Sequence, residues 1–101
     1  MSRREKLEKL IEKDAADPFL HFGLAMELAK EGRVDDAVAS FDRCITHDPH
    51  YTAAFYHKGR TLLEAGRRDE ARATLQLGTQ AARAIGNAHA LSEMEELLAG
   101  A

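Results

Sequence analysis

Apolar residues recur along this chain at spacings of three and four, the period of amphipathic helices, and glycine or Asp-Pro interrupts them at intervals. Leu7, Leu10 and Ile11 sit at i, i+3 and i+4 and predict a short helix over residues 3–14, inside an N-terminal segment of 3–16. Three anchors are too few for a helix of this length to stand alone in water, so it must dock on a neighbour. Asp17-Pro18 opens a second helix: the carboxylate can cap free N–H groups, and proline suits a first turn. From Phe19 to Glu31 two stripes run side by side, one of His21, Leu24, Ala25 and Leu28, the other of Phe19, Phe22, Met26 and Ala29. Two stripes call for two neighbours, or for one neighbour and an open binding face.

Gly32 ends that helix, because glycine reaches the left-handed cap conformation without steric cost. Val34, Ala37, Val38, Phe41, Cys44 and Ile45 form the apolar face of a third helix, whose first-turn Asp35 and Asp36 favour the positive end of its dipole. Asp48-Pro49 closes it. Thr52 is the expected cap of a fourth helix, with Phe55, Gly59 and Leu62 inward and Tyr56, Arg60 and Leu63 on a second face. After Gly66 a fifth helix uses Ala71, Leu75, Gly78, Thr79, Ala82 and Ile85 and is expected to run to Ile85. Gly86-Asn87 breaks it. A last helix, Ala88 to Ala99, carries Ala90, Leu91, Met94, Leu97 and Leu98. Alternating β-branched runs are missing, so the chain is expected to be all-α, with about six helices.

One stretch is said twice. Gly32-Arg33-Val34-Asp35-Asp36-Ala37 returns as Gly66-Arg67-Arg68-Asp69-Glu70-Ala71, and 66 − 32 gives an offset of 34 residues. At that offset Leu28/Leu62 and Ala39/Ala73 are also identical, and Phe22/Tyr56, Ser40/Thr74 and Phe41/Leu75 are similar. Each copy lies between two amphipathic segments and so reads as the hinge of a helical hairpin. This period and unit resemble the tetratricopeptide (TPR) repeat, a 34-residue helix-turn-helix. The family's aromatic–leucine–small–aromatic face is matched imperfectly by His21-Leu24-Ala25-Leu28 and by Phe55-Lys58-Gly59-Leu62. Its later positions are matched by Ala37, Phe41, Cys44 and Pro49, then by Ala71, Leu75 and Gly78, with Arg83 where proline is expected. His21 stands for the usual tryptophan, and Lys58 for a core leucine, where its stem would be buried and its ammonium in water. The resemblance covers about residues 18–85 and is to small stand-alone bacterial proteins of two repeats.

What it implies is an α-solenoid: an N-terminal helix in 3–16, repeat 1 over 18–51, repeat 2 over 52–86, and a C-terminal capping helix in 87–101. A solenoid repeat touches only its neighbours, so its ends need covers. At 101 residues there is room for one domain. Cys44 is the sole cysteine, which excludes an internal disulfide and suggests a reducing, cytoplasmic setting. Arg3 and Arg4 are followed by no apolar run, so no export signal is expected. No stretch approaches the roughly 18 apolar residues of a membrane span. Net charge is −3, with the 31% charged residues mixed along the chain, the opposite of the basic stripe of a nucleic-acid binder.

In TPR arrays the first helix of each hairpin lines a groove that receives peptides or a partner helix. Carried onto this chain, the lining is Phe19, Phe22, Met26, Ala29 and Lys30, then Ala53, Tyr56, Arg60, Leu63 and Glu64. Aromatic, methionine and arginine side chains are the types enriched at binding hot spots. The alternative for Phe19, Phe22 and Met26 is that they pack under the N-terminal helix. A carboxylate clamp is not expected, since Phe22, Met26 and His57 occupy its positions.

No zinc site is expected from the histidines, because neither His47/His50 nor His21/His57 offers three convergent ligands. Cys44 faces inward, no phosphate loop is present, and the paired acids are explained as helix starts. The chain is therefore expected to be a non-enzymatic scaffold without cofactor or metal, binding a protein or peptide partner. The alternative is self-assembly, as a homodimer or larger oligomer, through the terminal helices, the groove or the Ala81-Ala82-Arg83-Ala84-Ile85 edge.

Overall fold

Most helix ends of the computed structural model, which describes all 101 residues, coincide with a local signal. The order is α1 (Arg3–Lys13), α2 (Pro18–Lys30), α3 (Val34–His47), α4 (Thr52–Glu64), α5 (Arg68–Ala84) and α6 (Ala88–Ala99), with no strand. Ser2 and Glu5 close a capping box on α1: the Glu5 N–H donates to Ser2 Oγ at 3.1 Å and the Ser2 N–H to Glu5 Oε1 at 3.3 Å. Asp17 Oδ1 accepts from the Phe19 N–H at 2.9 Å, with Pro18 inside the first turn. Thr52 is not the cap of α4. It is the first helical residue, and Tyr51 precedes it with no side-chain cap bond.

The repeated hinge has one geometry. Gly32 and Gly66 take φ of +76° and +78°. Past them the Arg33 N–H donates to Leu28 O at 3.0 Å and the Arg67 N–H to Leu62 O at 2.9 Å. These are the six-to-one bonds of a Schellman cap, which satisfy carbonyls left free at a helix end. The arginines then clip the next helix start, Arg33 Nη2 reaching Asp36 and Arg67 Nη2 reaching Glu70, each at 2.8 Å. Gly86 repeats the cap at φ +68°, with the Asn87 N–H donating to Ala82 O at 2.9 Å. The break before α6 is thus a third hinge of the same construction.

The chain divides into two compact units, Met1–Pro49 and His50–Ala101. In the first, α2 packs on both α1 and α3. Its core is Leu7, His21, Leu24, Ala25, Leu28, Ala37, Phe41 and Cys44, joined by the buried hydroxyl-bearing Ser40. Phe22 lies half-buried with its ring 6.1 Å from that of Phe41. Leu10 departs from the predicted stripe: it is 49% exposed, and α1 docks through Leu7 with Ile11 at the edge. Arg3 and Arg4 hold α1 to α2 from the rim, by ion pairs to Glu27 at 2.9 Å and Glu31 at 3.0 Å.

In the second unit α5 packs on α4 and α6, and α4 also meets α6. Phe55, Leu62, Ala71, Leu75, Ala82 and Met94 form its core, with Thr74 and Thr79 buried among them. A β-carbon at Gly78 would stand 2.6 Å from Phe55 Cβ, so α5 crosses α4 on a bare backbone. Lys58 is half-buried at the leucine position. Ile85 is 48% exposed rather than inward, because α5 ends at Ala84 and Ile85 is its cap. In the Ala81–Ile85 edge, Ala81 and Ala82 face the core, leaving Arg83, Ala84 and Ile85 exposed.

Candidate partner-binding cleft

Helices α4 and α6 come into contact with space left between them. The result is an open cleft of about 410 Å³, a size within the range of ligand pockets. From α4 it is lined by Thr52, Ala53, Tyr56, His57 and Arg60, at the i, i+4, i+8 spacing of one helix face. From the start of α6 it is lined by Asn87, His89, Ala90 and Glu93. Asn87 is held there by the helix it starts, its Oδ1 accepting from the Ala90 N–H at 3.0 Å.

The walls combine an aromatic surface with charges at the rim. Tyr56 meets His57 edge-on, with centroids 5.1 Å apart and planes at 89°. Arg60 extends along its own helix to Glu64, Nε to Oε1 at 3.2 Å, and both side chains are more than half exposed. An exposed pair of this kind is easily exchanged for another partner. His89 Nε2 lies 3.3 Å from Glu93 on α6. The His57 imidazole is held below the ordinary histidine range, chiefly by burial and then by the Arg60 cation, with Glu93 pulling the other way. The site therefore presents an aromatic body, two imidazoles, a guanidinium and a carboxylate within one short groove.

Of the residues expected at a binding surface, Tyr56 and Arg60 are brought together here. Leu63 is half-buried one turn further along α4, and Glu64 is exposed and reaches the site through its pair with Arg60. Phe19, Phe22, Met26 and Lys30 belong to the first unit, on α2. Phe19 is 66% exposed, Met26 and Phe22 are half-buried, and Lys30 pairs with Glu27 at 3.6 Å. Sequence reasoning missed the α6 wall. Its signal is His89 and Glu93, at i, i+4 beside the apolar stripe, whereas the periodicity of α6 points to a covering helix or a self-assembly surface and not to a wall facing α4.

The other candidate chemistries find different places. His21 is 4% exposed, its Nε2–H donating to Ala15 O at 2.6 Å, and its ring stacks on His47 with centroids 5.4 Å apart. No cluster of three or more histidine, cysteine, aspartate or glutamate side chains is placed to hold a metal ion. Cys44 is fully buried, and that burial, with Asp48 adding to it, pushes the thiol up to about 12. At neutral pH such a group is a packed hydrophobe, since the thiolate is the nucleophile. No helix is long and apolar enough to cross a membrane.

Paired hairpins closed by one hinge geometry set the fold, and the tetratricopeptide repeat family matches this chain over residues 28–95. The chain belongs to that family. A TPR repeat-containing protein of Pseudomonas aeruginosa is 31% identical over 94 residues, 93% of this chain and 90% of the relative. The solution structure of a tetratricopeptide repeat domain protein from Salinibacter ruber has a TM-score of 0.75 at 32% identity, covering 83% of this chain and 85% of that one. The TPR2B domain of yeast Sti1 has the same fold, with a TM-score of 0.87 at 20% identity over 94% of this chain and 76% of that domain. The TPR fold is in general a protein–protein interaction module, and proteins of the family are typically scaffolds rather than enzymes.

Proposed function

We propose that this TPR protein captures a peptide or helical segment of a protein partner, and that the α4/α6 cleft is where the segment binds. The observation that carries the proposal is the placing of Tyr56 and Arg60 on one face of α4, opposite α6, around a cleft of about 410 Å³. Tyrosine and arginine are hot-spot residues because each joins a broad apolar surface to a directional polar tip. The yeast neighbour supports the class of function, being known in a pHsp70 complex. In this reading Leu63 and Glu64 extend the contact along α4, while Phe19, Phe22, Met26 and Lys30 on α2 offer a separate contact surface within the first unit. The protein works without cofactor, in the reducing cytoplasm that a lone, buried Cys44 suits.

The test is selection of peptides from a displayed random library on the immobilised protein, followed by titration into labelled protein observed by NMR. Binding should move the amide resonances of Ala53, Tyr56, Ala90 and Glu93. Tyr56→Glu should abolish it with helicity unchanged by circular dichroism. Selected peptides that bind Tyr56→Glu as tightly as the parent would refute the assignment of the cleft.

A further inference from the structure

Helix α1 carries a surface that its docking on α2 does not use. Lys6, Lys9 and Lys13 surround the exposed Leu10, with Met1 beside them, in a shallow apolar depression of about 260 Å³. Arg3 and Arg4 on the same helix are occupied by Glu27 and Glu31, whereas the three lysines make no ion pair within the chain. They span about 10 Å of one flank, while Glu5, Glu8 and Glu12 fall on the other. Helix α6 has the opposite character. It holds Glu93, Glu95 and Glu96 with no lysine or arginine of its own, and its exposed face sets Glu95 and Glu96 among the small residues Ala88, Ser92 and Ala99. Arg83 of α5 reaches Glu95 at 3.6 Å, a pair more than half exposed on both sides that an incoming lysine can replace, and Glu96 has no such partner.

We infer that the basic flank of α1 docks on the acidic outer face of α6 of a second copy of this chain. Leu10 would rest on the small-residue strip, and the lysines would pair with Glu95 and Glu96. Charge complementarity selects this occupant. A flat anionic membrane fits less well, because it cannot fill the depression and would meet the Glu5/Glu8/Glu12 row alongside. The two surfaces differ, so the contact is heterologous, and each added copy presents a fresh surface to the next. A contact between two three-turn helices is smaller than the ~1,000 Å² of a stable interface, so the association is weak and dynamic. It is independent of peptide capture, since neither Glu95 nor Glu96 lines the cleft.

The test is sedimentation equilibrium of the full chain across a concentration series, at low and high salt. At about 20 mM salt the weight-average mass should climb above that of the monomer with concentration, and at about 500 mM it should fall back, as screening of exposed charges requires. Lys6→Glu, Lys9→Glu and Lys13→Glu together should weaken association about tenfold or more. Glu95→Lys with Glu96→Lys should do the same. Mixing the two variants should restore it, because each then offers the surface the other needs. Circular dichroism checks folding, and Lys→Gln at the same three positions serves if the reversal unfolds the chain. A monomer at every concentration in low salt, association indifferent to the reversals, or no restoration on mixing would overturn the inference. So would binding to anionic vesicles by a chain that does not self-associate.

Discussion

Gly59 lies so close to Leu75 that a β-carbon added to it would stand 2.6 Å from both Cγ and Cδ2 of the leucine. This is where α4 crosses α5, and Leu75 is fully buried, so the leucine has no free space into which to turn. Alanine is the better helix former by about 1 kcal/mol, but overpacking a filled core costs ~1–3 kcal/mol. Gly59→Ala should therefore be net destabilising, seen as a lower urea midpoint. The loss should be much smaller when Leu75 is shortened to alanine in the same chain, because the two sites share one space.

Gly66 presents the reverse case. Nothing lies within 4 Å of a β-carbon built there, so its constraint is backbone conformation alone, at φ +78°. Left-handed geometry costs an L-residue with a side chain about 1–2 kcal/mol, and less for asparagine. Gly66→Ala should lower the thermal midpoint and Gly66→Asn should recover part of the loss. Gly32→Ala should behave in parallel, since its hinge has the same bonds.

His21 ties α2 to the turn before it. Its Nε2–H bond to Ala15 O at 2.6 Å is the polar function that a TPR tryptophan position carries in this chain. Replacing it with phenylalanine keeps a ring in the core and loses this tie, but it also removes the buried Nδ1 that has no partner, so global stability should change by less than the ~1 kcal/mol of one hydrogen bond while the turn loosens. Amide exchange should quicken at Asp17 and through the first turn of α2 before it does elsewhere.

Cys44 should be inert. Full burial and a thiol pushed up to about 12 predict no reaction with a thiol-specific reagent in native buffer, and complete reaction in denaturant. Rapid labelling of the native protein would contradict its placement.

His57 gives the fold a pH dependence of known sign. Its pKa in the folded chain lies below the ordinary 6.5, first through burial and then through Arg60. The unfolded chain therefore binds a proton that the folded chain refuses, and stability falls as pH drops through about 6.5 and below. Urea midpoints measured from about pH 8 to about pH 5 should decline less in His57→Gln than in the parent.

These residues show how unevenly the sequence discloses the molecule. The hinges were readable because a cap is local: Gly32 and Gly66 act within five residues of chain, and so do Asp17 and Pro18. The third hinge at Gly86 lacked the flanking Arg-x-x-acid, and so its equivalence to the others was hidden. The buried stripes were readable wherever a helix has one dominant face, as with Phe41 and Cys44 on α3. Leu10 and Ile85 failed the same rule, because periodicity says which residues share a face but not whether another helix arrives to cover it. Tyr56 and Arg60 could be named from residue type and spacing. His89 and Glu93 could not be joined to them, since they lie 29 to 37 residues further along the chain.

The sequence by itself determined six helices, a 34-residue duplication and the turns that space it, all of them consequences of interactions a few residues in range. Only the tertiary structure decided which second faces were covered. It took α6 against α4 to turn Tyr56, Arg60, His89 and Glu93 into one cleft. It took α1 docked through Leu7 to leave Leu10 exposed among Lys6, Lys9 and Lys13. Burial is a property of a pair of surfaces, and a single helix specifies only one of them.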